Sequence, residues 1–203
     1  MGHEAYDAYR KWVQKAGGQD CTLLSDSVAH VHAGGISKGG AAVKFPASLL
    51  ITADAAIERD AEFADTLEDF VGDLEEESVV ALFLMRQLNL GEASPWHLWL
   101  RALPEPLPTA GLCKPGGDQL PVAQEMLEEF TSIFAVEGGL PREFFSRPGE
   151  ADDVNLKRLW LWANVLIETR SVDTRAWGGT SGCCVVPLAA APLHAEASPF
   201  CWK

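Results

Sequence analysis

The chain has 203 residues, 47% of them hydrophobic, which is enough to bury a core as one domain or as two lobes. Its formal net charge of -13 argues against a nucleic-acid binder, because phosphate contacts need clustered Lys and Arg. The same acidity suits a solubilising surface or the attraction of a basic protein partner.

In chain order, Glu4–Ala16 reads as a short amphipathic helix, with Tyr6, Tyr9 and Val13 at helical spacing and Gly17-Gly18 closing it. Two strands are predicted around Ser27–His32 and Ala41–Phe45, separated by a glycine-rich loop. Pro46 breaks the second, and Leu49-Leu50-Ile51 continues as a short extended segment. Asp54–Asp69 favours one helix, and the charge run Asp54–Glu77 reads as solvated helix faces. Glu76–Leu88 favours another, apolar almost all round and therefore buried. Ser94-Pro95-Trp96 suits a cap followed by a first-turn proline. Proline and glycine crowd residues 104–118, which marks a surface loop. Pro121 opens a helix to about Val136. Asp152 or Asp153 caps the last helix, with Leu156, Leu159, Trp160, Ala163 and Ile167 on one face. The hydrophobic run Cys183–Val186 reads as a strand. Strands at each end with helices between them make an α+β arrangement.

The five cysteines, Cys21, Cys113, Cys183, Cys184 and Cys201, lack any Cys-x-x-Cys spacing, so they read as reduced core residues of an intracellular protein. Cytoplasm, nucleus and organelle are not distinguished. Met1–Gly18 has no apolar signal core, and no apolar run reaches membrane-spanning length. Of the five histidines only His30 and His32 are close; with Asp26 they are too few for a metal site. Gly34-Gly35 and Gly39-Gly40 lack the Gly-Lys-Ser/Thr ending of a phosphate loop, and Ser181-Gly182 lacks the flanks of a nucleophile elbow.

Several segments, taken collinearly, resemble the SET-domain protein methyltransferases of the Rubisco large-subunit lysine and actin-histidine branch. They are Phe45-Pro46-Ala47-Ser48-Leu49-Leu50-Ile51-Thr52, Val80-Ala81-Leu82-Phe83-Leu84, Ser94-Pro95-Trp96 leading to Leu103-Pro104, Leu161–Arg170, and Pro187-Leu188-Ala189 with His194. The resemblance spans roughly residues 25–200. It implies an amino-terminal helix and lead-in over 1–24, then a SET-like β core over 25–203 carrying a large helical insert at about 54–168. A different α+β fold would explain the periodicity equally well.

The implied chemistry is transfer of a methyl group from S-adenosylmethionine to a lysine, or less readily a histidine, of a protein substrate. The family's Ser/Thr-Arg pair falls on Thr169 and Arg170, where the guanidinium would bind the cofactor carboxylate. The alternative for Arg170 is a surface arginine favoured by the helix dipole. The family's Asn-His pair falls on Leu193 and His194, so the histidine alone is retained, either as a cofactor contact or as a structural residue. The Gly-x-Gly turn that lets backbone approach the cofactor falls on Val28-Ala29-His30, without either glycine. The family's aspartate position holds Ala190. The only tyrosines are Tyr6 and Tyr9, so none stands where the family places its catalytic tyrosine. The sequence also ends, at Lys203, before the family's carboxy-terminal substrate-binding domain. A methyltransferase incomplete or inactive as this chain is one expectation. A non-catalytic module that keeps the fold and binds a basic partner is the other.

Overall fold

The structure, a computed structural model, describes residues 3–18, 45–70, 74–103, 121–134, 138–147, 149–175 and 178–187. These are mostly helical: seven α-helices and two short strands lie among them. The predicted strands at Ser27–His32 and Ala41–Phe45 lie outside the described residues, apart from Phe45, as does the loop at 104–118. Mixed α+β describes the result in its coarse sense, with helix far in excess of strand. Among the described residues no helix is long and apolar enough to cross a membrane.

Helix α1 (His3–Lys15) follows the predicted amphipathic pattern, burying Tyr9 and Val13 completely. It stops because Gly17 turns to φ +99°, a conformation that costs a glycine little. The Gly17 and Gly18 amides then donate to the Gln14 and Val13 carbonyls, capping the helix end. A Cβ on Gly18 would fall 2.5 Å from a Val13 methyl, so the second glycine is fixed by space.

The single helix expected over Asp54–Asp69 is two: α2 (Ala53–Arg59) and α3 (Ala61–Leu67). Asp60 leaves the helical region (φ -130°, ψ 92°) and its carboxylate accepts from the Phe63 amide as the cap of α3. Its other oxygen lies 3.6 Å from Arg86 Nε. An ion pair with a distant helix thus competes with helix continuation and wins. Leu49-Leu50-Ile51 is likewise only partly extended. Residues Ala47–Leu49 form a 3-10 turn, and Ile51 alone pairs as strand.

Helix α4 (Glu76–Leu90) is the axis of the molecule, buried from Ser78 to Gln87. It packs against α7, α2 and α5 (His97–Ala102). The last begins later than the Ser94-Pro95 pair suggests. Ser94 Oγ donates to Gln87 of α4 at 2.8 Å and accepts from the Trp96 amide, which holds 94–96 in a turn. Trp96 meets Phe83 edge-on at 5.3 Å, and Phe83 meets Phe63 in the same way. Helix α6 (Pro121–Phe134) packs on α7 (Asp153–Arg170), whose first turn is capped by Asp152 through the Val154 and Asn155 amides. On the predicted face of α7, Leu156, Trp160, Ala163 and Ile167 are buried, and Leu159 is half-buried at the margin.

The chain leaves α7 directly into β1 (Ser171–Val172), which pairs antiparallel with β2 (Cys184–Val185), Ser171 opposite Val185. On its other edge Val185 exchanges both backbone hydrogen bonds with Ile51, at 3.1 and 2.8 Å. A three-segment patch therefore brings Ile51, just before α2, beside the strands that follow α7.

Candidate functional site

Thr169 and Arg170 are the last two residues of α7, beside that patch; the Val186 amide donates to the Arg170 carbonyl. Arg170 is not the surface arginine of the dipole alternative, since only 6% of it is exposed. Its Nη1 donates to Thr169 Oγ1 at 2.9 Å, and that hydroxyl donates back to the Val165 carbonyl at 2.7 Å. The pair is chemically suited to a carboxylate, which a guanidinium takes through two parallel N–H groups. As it stands, part of the donor set faces inward, onto the hydroxyl of its neighbour. His194, the third residue expected here, lies outside the described residues, as do Val28-Ala29-His30, Gly34-Gly35 and Ala190.

Pro187 opens the segment Pro187-Leu188-Ala189, of which only Pro187 is described. Its carbonyl accepts a 2.6 Å hydrogen bond from the Tyr9 hydroxyl, 178 residues away. Tyr9 is fully buried, so this phenol is a tie between α1 and the end of β2. It is not open to an incoming nucleophile.

A second polar knot supports the hairpin. One oxygen of Glu76, in the first turn of α4, accepts from Ser181 Oγ and from the Gly182 and Cys183 amides at 2.8 to 3.1 Å. Burial pushes the Glu76 carboxyl up, but these bonds and the charge of Arg175 outweigh it and leave the group below its ordinary range. A carboxylate with a depressed folded-state pKa stabilises the fold above its unfolded pKa and loses that contribution as the pH falls through the folded value. Thermal unfolding of Glu76→Gln is therefore expected to be less stable than wild type near neutrality, with the difference shrinking below about pH 4.3. A difference independent of pH from 7 to about 3 would contradict the assignment.

Cys183 and Cys184 are buried free thiols, as the sequence suggests for core cysteines. Burial, reinforced by the charge of Glu77, pushes the Cys183 thiol up to about 12, and burial raises Cys184 as well. Both are therefore protonated and poor nucleophiles near neutrality. Among the described residues no group of three His, Cys, Asp or Glu side chains could hold a metal ion; His30, His32 and Asp26 lie outside them.

Sequence reasoning missed a cleft of about 460 Å³ on the face formed by α1, the α2–α3 junction and the end of α4. Trp12, Arg59, Arg86 and Trp96 line it. Each residue taken singly reads as a helix-surface charge or a core aromatic, so the one available signal was an arginine directly after the apolar run of α4.

No protein-family model matches the chain, and no curated protein or solved structure is significantly similar to it.

Proposed function

We propose that this chain is a divergent SET-lineage domain. Its ancestral chemistry is S-adenosylmethionine-dependent methylation of a lysine, less readily a histidine, on another protein. The observation that carries the reading is the pairing of Ile51 with Val185 and of Val185 with Ser171. Three collinear pieces of the resemblance, the Leu-Leu-Ile-Thr segment, the strand leading into Pro187 and the Thr169-Arg170 pair, converge there. A helical insert returning to its own starting strand is what a SET-like core would require.

When bound, S-adenosylmethionine would supply the methyl group on its sulfonium. Thr169 and Arg170 would hold it, Arg170 through the carboxylate, with His194 as the third contact. The acceptor would need to be oriented by a group other than a tyrosine of this sequence, since Tyr9 is committed to Pro187 and Tyr6 also lies on α1. This places cofactor binding ahead of turnover as the property to test.

Saturating cofactor, at about a hundred times its dissociation constant, should stabilise the fold by about 2.7 kcal/mol. For a chain of this length that raises the melting temperature by about 5 to 10 °C. A cooperative transition unmoved by S-adenosylmethionine would sink the reading.

One observation favours a second reading, a non-catalytic module that binds a basic protein partner. Arg170 is buried and bonded to Thr169, as a residue retained for packing would be. The net charge of -13 supplies complementarity to a basic partner. The same titration separates the two, because the module has no need of the cofactor.

A further inference from the structure

We propose that the cleft between α1, the α2–α3 junction and Trp96 is a binding site for an organic monocarboxylate with an aromatic or branched apolar body. Its volume, about 460 Å³, lies within the range of small-molecule sites. The inference does not depend on the methyltransferase reading, since neither Thr169 nor Arg170 lines this cleft.

One wall is apolar and firmly held. The Trp96 indole is anchored by its N–H to the Leu49 carbonyl at 3.1 Å and by its edge contact with Phe83, and Trp96 is 4% exposed. Trp12, Leu49, Leu90 and Pro95 add apolar wall, and Ser48 and the Arg86-paired Asp60 carboxylate also line the cleft. A flat or branched hydrocarbon body would displace water from the apolar wall with little reordering of the protein.

The polar end is defined by two guanidinium groups in different states. Arg86 is 9% exposed and ion-paired with Asp60 and Glu62, so its charge is matched inside the protein. Its Nε is nevertheless buried without a hydrogen-bond partner, the Asp60 oxygen standing off at 3.6 Å. This N–H is fully buried and faces Asp60, so a ligand in the cleft would meet Arg59 rather than Arg86. Arg59 uses Nη1 on the Leu50 carbonyl at 2.9 Å and lies 5.8 Å from the Trp96 ring centroid. Its other N–H groups have no protein partner among the described residues.

Charge decides between ligand classes. Arg86 is matched by Asp60 and Glu62, whereas Arg59 is exposed and has no ion pair among the described residues; the chain as a whole carries -13. A phosphate dianion would bring more charge than the unused donors of Arg59 can neutralise. A single carboxylate matches one guanidinium and would lie beside an indole that receives its apolar body. The unfavourable overall charge keeps affinity modest, with a Kd of about 0.1 to 1 mM.

The test is calorimetric titration of the full chain with indole-3-propionate and, separately, with its uncharged carboxamide. The acid is expected to bind saturably and the amide at least about tenfold more weakly. Arg59→Gln should reduce the acid to the level of the amide, while Arg59→Lys, which keeps the charge but not the fork, should fall between. Equal binding of acid and amide, acid affinity unchanged in Arg59→Gln, or no saturable heat from the acid would each overturn the proposal. If Arg59→Gln fails to fold, the comparison of acid with amide on the wild-type chain decides alone.

Discussion

Trp160→Ala is expected to lower the melting temperature by about 10 °C, the largest single effect anticipated for this fold. Trp160 is fully buried on α7, and its indole N–H donates to the Met126 carbonyl of α6 at 2.7 Å. Truncation removes the side chain that joins the two helices and leaves a cavity that the flanking helices can only partly close. Large-to-small changes of this kind cost about 3 to 5 kcal/mol. Trp160→Phe keeps most of the volume and loses the hydrogen bond, so about 1 to 2 kcal/mol is expected. Thermal unfolding of both variants checks the order. Hydrogen exchange locates the damage, because α6 amides should lose protection before those of α4. A Trp160→Ala melting temperature within about 2 °C of wild type would show that α6 does not dock on α7 in this way.

Arg86→Met is the second large effect, at about 3 kcal/mol. Arg86 directly follows the apolar run Val79–Met85 in the buried stretch of α4, where its guanidinium stacks over Phe144, 3.9 Å from the ring centroid, and faces Asp60. Methionine can occupy the space of the stem. The charge on Asp60, whose side chain is 15% exposed, is then left without its partner. Glu62 loses the same partner at little cost, because it is 71% exposed. The origin of the loss can be separated by adding Asp60→Asn, since asparagine still caps α3 while carrying no charge. The double variant should recover about 1 to 2 kcal/mol relative to Arg86→Met, although Asp60→Asn alone destabilises. Additive losses in denaturant unfolding would mean that Asp60 and Arg86 are not coupled.

The elements that the sequence displayed openly are those whose cause is local. Tyr9 and Val13 at helical spacing with Gly17-Gly18 behind them define α1. The apolar run Val79–Met85 announces a buried α4, and Asp152 caps α7. What was hidden is set by partners far along the chain. The break at Asp60 is set by Arg86, and the late start of α5 by Gln87. Ile51 is a strand residue only because Val185 arrives beside it. Periodicity carries no record of such encounters.

The candidate site divides in the same way. Thr169 and Arg170 were legible as a pair at a helix end, but the burial of Arg170 and its bond to Thr169 depend on what packs around α7. The Glu76 knot joins a helix start to a hairpin 105 residues later, and the Tyr9 tie spans 178. The cleft is assembled from α1, the α2–α3 junction, α4 and Trp96, none of which suggests a site alone.

The most direct measurement is the calorimetric affinity of the purified chain for S-adenosylmethionine, with Arg170→Lys measured beside wild type after each is shown to unfold cooperatively. A SET-lineage domain that holds the cofactor through Arg170 should give a saturable heat. It should also lose at least about tenfold in affinity when the guanidinium fork is replaced by an ammonium. No heat from the wild-type chain, or equal affinity in the two proteins, would contradict that descent-based function and leave a module that binds partners without cofactor.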